Sequence, residues 1–381
     1  MKKNSKFKDL IPFIFSFSLY IIAGIITARF FSVPENGAPL LYVLVLAISV
    51  YASFLVHIVL HEAGHLVCGL ISGYRFLFFR IYSLMLVKNE GKLRLKKFKI
   101  AGTAGQCIML PPDGTAYEEI PFFLYNSGGV LSNLIFSAIF SLMYIAVPLP
   151  PMFNVVFPTL SVLGMVLAVT NGIPVAGSTV ANDGYNILSM MRYRHARRAF
   201  AIQLEMNGMI AMGKSVSEMP EEWFTLLASD EMNDPLSAFV AVACVDRLME
   251  ERRFSEVLET IGYISDNAVG ISGLSRALLE CNRMYCEMIN GASRDTVECL
   301  RTREQVSVMK QMKNFPVVIR TEYAYTMLCK DDRAGAIEML KRFDRIAKTY
   351  PYPVDIECER ALMLLADKQY YEMKGATNGK N

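Results

Sequence analysis

Long apolar runs separated by short polar segments dominate the first half of the chain. A helix needs about 20 apolar residues to cross the hydrocarbon core of a bilayer. The first run follows four lysines and exceeds the roughly 7–15 apolar residues of a signal peptide, which predicts a retained anchor. The pattern predicts a four-span membrane domain over 1–194, with spans at about 10–31, 40–62, 121–147 and 153–176.

The polar segments between these runs predict an orientation. Eight lysines and arginines lie between the second and third runs, and four arginines follow the fourth. The two opposite loops, 32–39 and 148–152, contain no basic residue. Because Lys and Arg concentrate on the cytoplasmic side, we expect both chain ends in the cytoplasm. The pattern suits a bacterial cell membrane.

The basic segment between the second and third runs has β character. Residues 74–87 are rich in aromatic and branched side chains, 89–91 have turn chemistry, and 92–100 alternate basic and apolar positions. These features predict a β-hairpin at about 74–110 on the cytoplasmic membrane face. Residues 101–106 would continue it as a small-residue strand that another backbone can approach closely.

The second half of the chain has charged surfaces and helical periodicity. Three helix openings look related, at 254–258, 295–300 and 335–340, and the last two are 40 residues apart. They predict a soluble all-α domain over 195–381, either a repeat array resembling tetratricopeptide-type helix pairs or an irregular bundle. Either form usually binds a protein. The predicted fold class is therefore mainly α.

Composition narrows the classes of function. The chain is 53% hydrophobic with a mean hydropathy of +0.30, as expected for a membrane protein. A net charge of only +3 argues against a nucleic-acid partner. Six of the eight cysteines lie in the second half and none has C-x-x-C spacing. We interpret them as reduced core residues of a cytosolic domain.

One motif carries metal chemistry. His61, Glu62 and His65 match the zincin pattern H-E-x-x-H. On a helix, positions i and i+4 share one face, so both imidazoles can reach one ion. Glu62 falls beside them as a general base for a water that zinc acidifies. The motif closes the second predicted span, where ionisable groups are costly unless they pair or bind metal.

A third ligand is expected, because a catalytic zinc usually takes three protein ligands. Asp183 is the only formally charged residue in 121–191. The second and fourth predicted spans both run from outside to inside, which puts His61 and Asp183 at similar depth. We therefore predict that Asp183 binds the metal. The alternative is a helix-capping aspartate at the membrane interface.

Other chemistry-bearing side chains fit other roles better. His57 lies one turn before His61 and is predicted to be a satisfied core histidine, with a supporting role behind the ligands as the alternative. His195 follows the last span in a basic stretch and is predicted to be a surface residue. A serine or cysteine mechanism would need a base at a recognisable spacing. None accompanies the candidate nucleophiles, which are Ser132, Ser178 and Cys68.

Three motifs resemble the site-2 protease family of intramembrane zinc metallopeptidases, over residues 1 to about 190. The first is the H-E-x-x-H late in an apolar helix. The second is 128–134, which is similar to the small-residue G-x-x-x-N signature of the next core helix. The third is 171–174 followed by 182–184, similar to the N-x-x-P…D-G element. Asp183 lies nine residues after Pro174, whereas the family commonly places this Asp five residues after its Pro.

The resemblance implies a zinc metalloendopeptidase that hydrolyses a peptide bond in or near a transmembrane segment of a membrane-protein or signal-peptide-like substrate. Its single Zn²⁺ would be held by His61, His65 and Asp183, with Glu62 as the base. Candidates for support of this site are Asn133, Asn171 and Asn182. Asn133 could equally serve helix packing.

A substrate helix protects its own carbonyl groups, so it must unwind before hydrolysis. A strand edge at Thr103, Ala104 and Gly105 could hold the unwound segment by β-augmentation. The domain at 195–381 could recruit a cytosolic protein partner.

Two rival functions remain open. The first is a non-catalytic membrane scaffold with a structural or vestigial metal site, in which the helical domain binds a partner. The intact Glu62 speaks against it, since a structural site needs no base. The second is a metal transporter, which one acidic residue in the spans equips poorly.

Overall fold

The chain divides into two compact units, Met1–Arg197 and Arg198–Asn381. The structure is a computed structural model. It describes residues 3–30, 38–89, 92–97, 104–175, 181–268, 270–350 and 352–378.

Helices form most of the first unit. They are α1 (Lys3–Ala28), α2 (Pro39–Ile71), α3 (Phe122–Ala146), α4 (Val156–Gly172) and α5 (Asp183–Arg192). Pro39 at the first turn of α2 suits a helix start, because its missing N–H would have no partner there. Among the described residues, three segments are long and apolar enough to span a membrane: Pro39–Ile71, Phe122–Ala146 and Pro151–Gly172.

The first two predicted spans have different bounds from the helices of the structure. The apolar stretch of α1, Ile14–Ala28, is shorter than the three spanning segments, so a fourth span stays a prediction. The second span was predicted to end near 62, and α2 continues beyond this position to Ile71, so the end of the span stays a prediction. Gly64 and Gly69 lie beyond the predicted end, and the close packing of α3 and β4 around them supports the longer helix.

The prediction of a single hairpin at 74–110 was wrong. A four-stranded antiparallel sheet occupies this segment, in the order β3-β2-β1-β4. Tyr82 turns the chain between the first two strands with φ at +50°, without the glycine or asparagine that normally marks such a turn. The strands are β1 (Arg75–Ile81), β2 (Leu84–Asn89), β3 (Lys92–Lys97) and β4 (Gly105–Leu110).

Helices α2 and α3 touch through their backbones. A methyl group added at Gly64 would lie 2.2 Å from the Gly128 carbonyl oxygen, and one at Gly128 would lie 2.4 Å from the Gly64 oxygen. Small residues permit this approach in membrane helices. It brings the H-E-x-x-H face of α2 against the 128–134 segment of α3.

The described residues of the second unit form helices and short helical turns. The boundary between the units falls within α6 (Arg194–Ala211). The three openings found in the sequence begin α8, α10 and α13; the type of repeat stays a prediction. The remaining helices are α7 (Pro235–Glu250), α8 (Phe254–Asn267), α9 (Gly273–Ile289), α10 (Arg294–Leu300), α11 (Arg303–Gln311), α12 (Pro316–Ala324), α13 (Arg333–Ala347) and α14 (Pro353–Asn378).

Candidate metal centre

Three side chains from two helices converge on one point. His61 Nε2 lies 3.1 Å from Asp183 Oδ2, and His65 Nε2 lies 3.4 Å from the same oxygen. The two imidazole Nε2 atoms are 3.2 Å apart. Ligands held at about 2.0–2.1 Å from a tetrahedral zinc would be separated by about 3.3–3.4 Å. The triangle therefore has the size that a zinc ion requires.

The surroundings of the triangle also suit a cation. The side chains of His61, His65 and Asp183 are 12%, 10% and 19% exposed. Asp183 Oδ2 is buried and has no hydrogen bond of acceptable geometry among the described residues. Its contacts with the two imidazoles are those that a shared cation would bridge. Two nitrogens and one carboxylate form a common ligand set for catalytic zinc.

A backbone carbonyl orients His65. Its Nδ1 lies 2.8 Å from the Tyr125 carbonyl oxygen at the start of α3. A carbonyl only accepts hydrogen bonds, so the hydrogen of His65 belongs on Nδ1. The lone pair then stays on Nε2, which faces the triangle. This is the usual support for a metal-binding histidine.

His61 has a different partner behind it. Asn133 Nδ2 lies 3.3 Å from His61 Nδ1, and Asn133 Oδ1 lies 3.1 Å from His57 Nδ1. His57 Nε2 lies 2.7 Å from the Leu160 carbonyl oxygen of α4. Asn133 and His57 are both fully buried. The structure therefore brings Asn133 against a predicted ligand, and both nitrogens of His57 have partners.

Glu62 lies between the histidines and the sheet. Its side chain is buried, and its carboxyl group packs directly against Gly105 at the start of β4. A methyl group at position 105 would lie 2.5 Å from Glu62 Oε1. The negative charge of Asp183 acts on the Glu62 carboxyl group. Only glycine lets the strand pass this close to the carboxylate.

Strand β4 lies at one edge of the sheet. The Tyr82 N–H donates to the Ala104 carbonyl oxygen at 2.7 Å, so this carbonyl faces β1. Backbone groups of successive residues alternate between the two edges of a strand, so those of Gly105 face the other edge. The same alternation directs the Cys107 carbonyl oxygen outward, where the Tyr125 hydroxyl donates to it at 2.8 Å. Thr103 lies outside the described residues.

Asn182 fixes the start of α5. Its Oδ1 accepts hydrogen bonds from the N–H groups of Tyr185 and Val175, at 3.0 and 3.1 Å. Its Nδ2 donates to the carbonyl oxygens of Thr170 and Ile173, at 2.8 and 2.6 Å. Asn182 therefore ties the beginning of α5 to the end of α4. This connection holds the next residue, the aspartate of the triangle, in place.

The other predicted residues lie elsewhere. The Asn171 side chain donates to the Leu167 carbonyl oxygen within its own helix. Ser132 donates to the Leu60 carbonyl oxygen, and His195 stacks on the ring of Tyr193. None of them belongs to the metal group. Ser178 and the rest of 176–180 lie outside the described residues.

Several contributors to the site have no signal in the sequence. Arg80 on β1 is fully buried, and its charge also acts on Glu62. Opposite Arg80 in the sheet register, Gln106 has a buried Oε1 without a hydrogen bond among the described residues. Arg80 belongs to an aromatic-rich segment and Gln106 to a small-residue segment, and both patterns are typical of ordinary strands. The carbonyl groups of Tyr125 and Leu160 are backbone atoms that only the tertiary fold brings to the histidines.

Comparisons with protein-family models, with curated proteins and with solved structures find no match to this chain.

Proposed function

We propose that this chain is an intramembrane zinc metalloprotease that cleaves a transmembrane or signal-peptide-like protein substrate. One observation carries the proposal: a buried glutamate stands beside a zinc-sized triangle of two histidines and an aspartate, and against an edge strand. A structural metal site has no need of the glutamate or of the strand. Both have a use in peptide hydrolysis.

Each residue has a distinct part in this reaction. His61, His65 and Asp183 would hold the metal, and zinc, when bound, would acidify a water and polarise the scissile carbonyl. Glu62 accepts the proton of the attacking water and passes it to the leaving amine. Its burial against Gly105 excludes bulk water and holds the carboxyl group in one position.

The edge of β4 would hold the substrate. Gly105 directs its N–H and carbonyl groups to the side of β4 that no other described strand pairs with. An extended segment added at this edge would run past Glu62, because Gly105 touches that carboxyl group. Main-chain hydrogen bonds provide such a strand with affinity that depends little on sequence. The substrate must therefore unwind where it is cut.

The surroundings of the site fit a substrate from the membrane. His61, Glu62 and His65 lie on one of the three membrane-spanning candidates, and Asp183 follows another by a short connection. In the proposed topology both chain ends are cytoplasmic, in a bacterial membrane with four spans. The helical unit would recruit a cytosolic partner or the substrate itself.

Reconstitution with a single-span reporter tests the proposal. The wild type should bind about one zinc per chain and cleave the reporter within or beside its span. Glu62→Gln should keep the zinc and lose cleavage by at least about 100-fold, since general-base catalysis contributes about 10²–10⁴-fold. Asn171→Ala is the matched control, because within the described part of the chain that side chain bonds only to the Leu167 carbonyl oxygen of its own helix turn. It should keep both zinc and cleavage.

The same experiment separates the proposal from its rival. A scaffold with a structural metal would hold zinc equally well and would give the same phenotype with glutamine at position 62. Cleavage by Glu62→Gln at the wild-type rate would contradict the role of Glu62. Absence of zinc from the wild type under non-chelating conditions would remove the basis of the proposal.

A further inference from the structure

The two histidine ligands are supported in different ways. His65 Nδ1 faces a backbone carbonyl, which can only accept, so its hydrogen is fixed. His61 Nδ1 faces the side-chain amide of Asn133, which offers a donor on one side and an acceptor on the other. An amide that donates to His61 Nδ1 would force the hydrogen onto Nε2, and that nitrogen could not bind a metal. Something must fix the orientation of this amide.

His57 and Leu160 supply the missing constraint. The Leu160 carbonyl can only accept, so His57 Nε2 carries a hydrogen and donates to it at 2.7 Å. If Asn133 Oδ1 faced His57, the imidazole would need hydrogens on both nitrogens, which would make it a cation. A cation in a fully buried, apolar setting is costly. Neutral His57 instead presents a bare Nδ1, which must accept a hydrogen bond.

This constraint passes along the network. Asn133 Nδ2 is the only donor that the described contacts bring to His57 Nδ1, so the amide nitrogen turns towards His57. The oxygen and nitrogen of an amide exchange places by a half-turn about one bond. The amide oxygen then faces His61 and accepts from its Nδ1–H. The lone pair of His61 is left on Nε2, within the triangle.

We infer that His57 is a positioning residue for the metal centre: together with Asn133 and the Leu160 carbonyl, it holds His61 in the tautomer that binds metal through Nε2. The inference rests on the proposed function, since it assumes that His61 is a metal ligand. The relay crosses three helices, with His57 on α2, Asn133 on α3 and Leu160 on α4. A metal ligand on α2 is thereby oriented by the backbone of α4.

Two glycines hold the relay at hydrogen-bonding distance. A methyl group at Gly164 would lie 2.1 Å from His57 Cε1, and one at Gly129 would lie 2.4 Å from His61 Cε1. Helices α3 and α4 can therefore approach the two imidazoles only where they lack side chains. Packing alone could be met by any side chain of the right volume. A ring with both nitrogens bonded indicates a polar role as well.

Zinc affinity of the purified chain, measured by competition with a chelator, tests this role. His57→Leu removes both hydrogen bonds and should weaken zinc binding about 10–100-fold, the usual cost of losing the partner behind a metal ligand. His57→Gln has an amide that can donate to Leu160 and accept from Asn133, and should stay within about threefold of the wild type. Thr159→Val is the packing control, because among the described residues the buried Thr159 hydroxyl bonds only to the Val155 carbonyl oxygen at the start of α4.

Coupling between the two relay residues gives a sharper result. Asn133→Leu should weaken zinc binding by a similar factor, and adding His57→Leu should weaken it little further, because His57 acts through Asn133. Losses that multiply in the double variant would contradict the relay. Equal losses in His57→Leu and His57→Gln would assign His57 to packing alone. Unchanged affinity in His57→Leu would exclude any positioning role.

A spectroscopic measurement on the wild type tests the relay without any substitution, so a variant that fails to fold cannot affect the result. The chain has four histidines, so ¹⁵N spectra of histidine-labelled, zinc-loaded protein are simple. The relay predicts that His57 is neutral with a bare Nδ1, while His61 and His65 carry hydrogen on Nδ1. A doubly protonated His57 would overturn it. Failure of the metal site is distinguishable, because the wild type would then bind no zinc in the competition assay. Failure of the proposed hydrolysis is distinguishable as well, because zinc binding and its dependence on His57 would then persist without reporter cleavage.

Discussion

The position of Gly129 offers a direct test of how closely α3 packs against His61 in the triangle of His61, His65 and Asp183. A methyl group at this position would lie 2.4, 2.5 and 2.6 Å from Cε1, Nε2 and Nδ1 of His61. Ordinary contacts of a methyl carbon begin at 3.4 Å. The Gly129→Ala substitution must therefore move the imidazole or separate α2 from α3, in either case by roughly 1 Å in a close-packed interior.

A shift of this size would break the geometry that the proposed zinc site needs. Metal–ligand distances tolerate about 0.2 Å, and the triangle has edges of 3.1, 3.2 and 3.4 Å. Moving one corner by roughly 1 Å would remove His61 from the proposed ligand set. We expect Gly129→Ala to weaken zinc binding by at least about 100-fold, which corresponds to about 2.8 kcal/mol.

The assay is chelator competition on the purified chain, with zinc counted per polypeptide. Gly24→Ala is the matched control, since Gly24 also lies in an apolar helix and no atom of the described residues lies within 4 Å of the added methyl group. It should bind zinc as the wild type does. Wild-type affinity in Gly129→Ala would refute the close approach of α3 to His61, and with it the geometry of the site.

Three further predictions follow from other parts of the molecule. Gly105→Ala should keep zinc but slow reporter cleavage by about 100-fold, because a misplacement near 1 Å at Glu62 costs that much; cleavage at the wild-type rate would contradict the contact. Asn182→Ala should weaken zinc binding about tenfold by loosening the start of α5, as measured by chelator competition, and an unchanged affinity would count against its positioning role. Burial, and then neighbouring carboxylates, raise the pKa of Asp355 to about 7. The Asp355 carboxyl group therefore stays protonated in the folded state between about pH 4 and 7, whereas in the unfolded chain it loses its proton near its ordinary pKa of about 3.9. Its contribution to the free energy of unfolding therefore falls as the pH rises from about 4 to 7. Asp355→Asn should raise the unfolding temperature of the second unit more at pH 8 than at pH 5, followed by the fluorescence of Trp223, the single tryptophan; an equal effect at both pH values would contradict the raised pKa.

The triangle of His61, His65 and Asp183 was predictable from the sequence because it depends on local spacing and on hydrophobic pattern. The i, i+4 spacing puts His61 and His65 on one helix face, and the apolar background isolates Asp183 as the only formally charged residue in 121–191. The structure brings these three together, as the sequence predicts.

The parts that could not be predicted depend on tertiary packing. The turn at Tyr82 needs a left-handed backbone that the sequence does not announce, so two strands read as one. The length of α2 beyond position 62 depends on contacts from α3 and β4. The orientation of both histidines depends on backbone carbonyl groups, which every residue carries. Which of these carbonyl groups face a histidine is determined only when the helices pack together.

Zinc bound per chain in the wild type and in Asp183→Ala tests the central claim most directly. The protein would be purified in detergent without chelators and compared with Asn171→Ala, whose side chain lies outside the triangle. The account predicts about one zinc in the wild type and in Asn171→Ala, and a large loss in Asp183→Ala. A wild type without zinc, or an Asp183→Ala variant that keeps it at full affinity, would contradict the account.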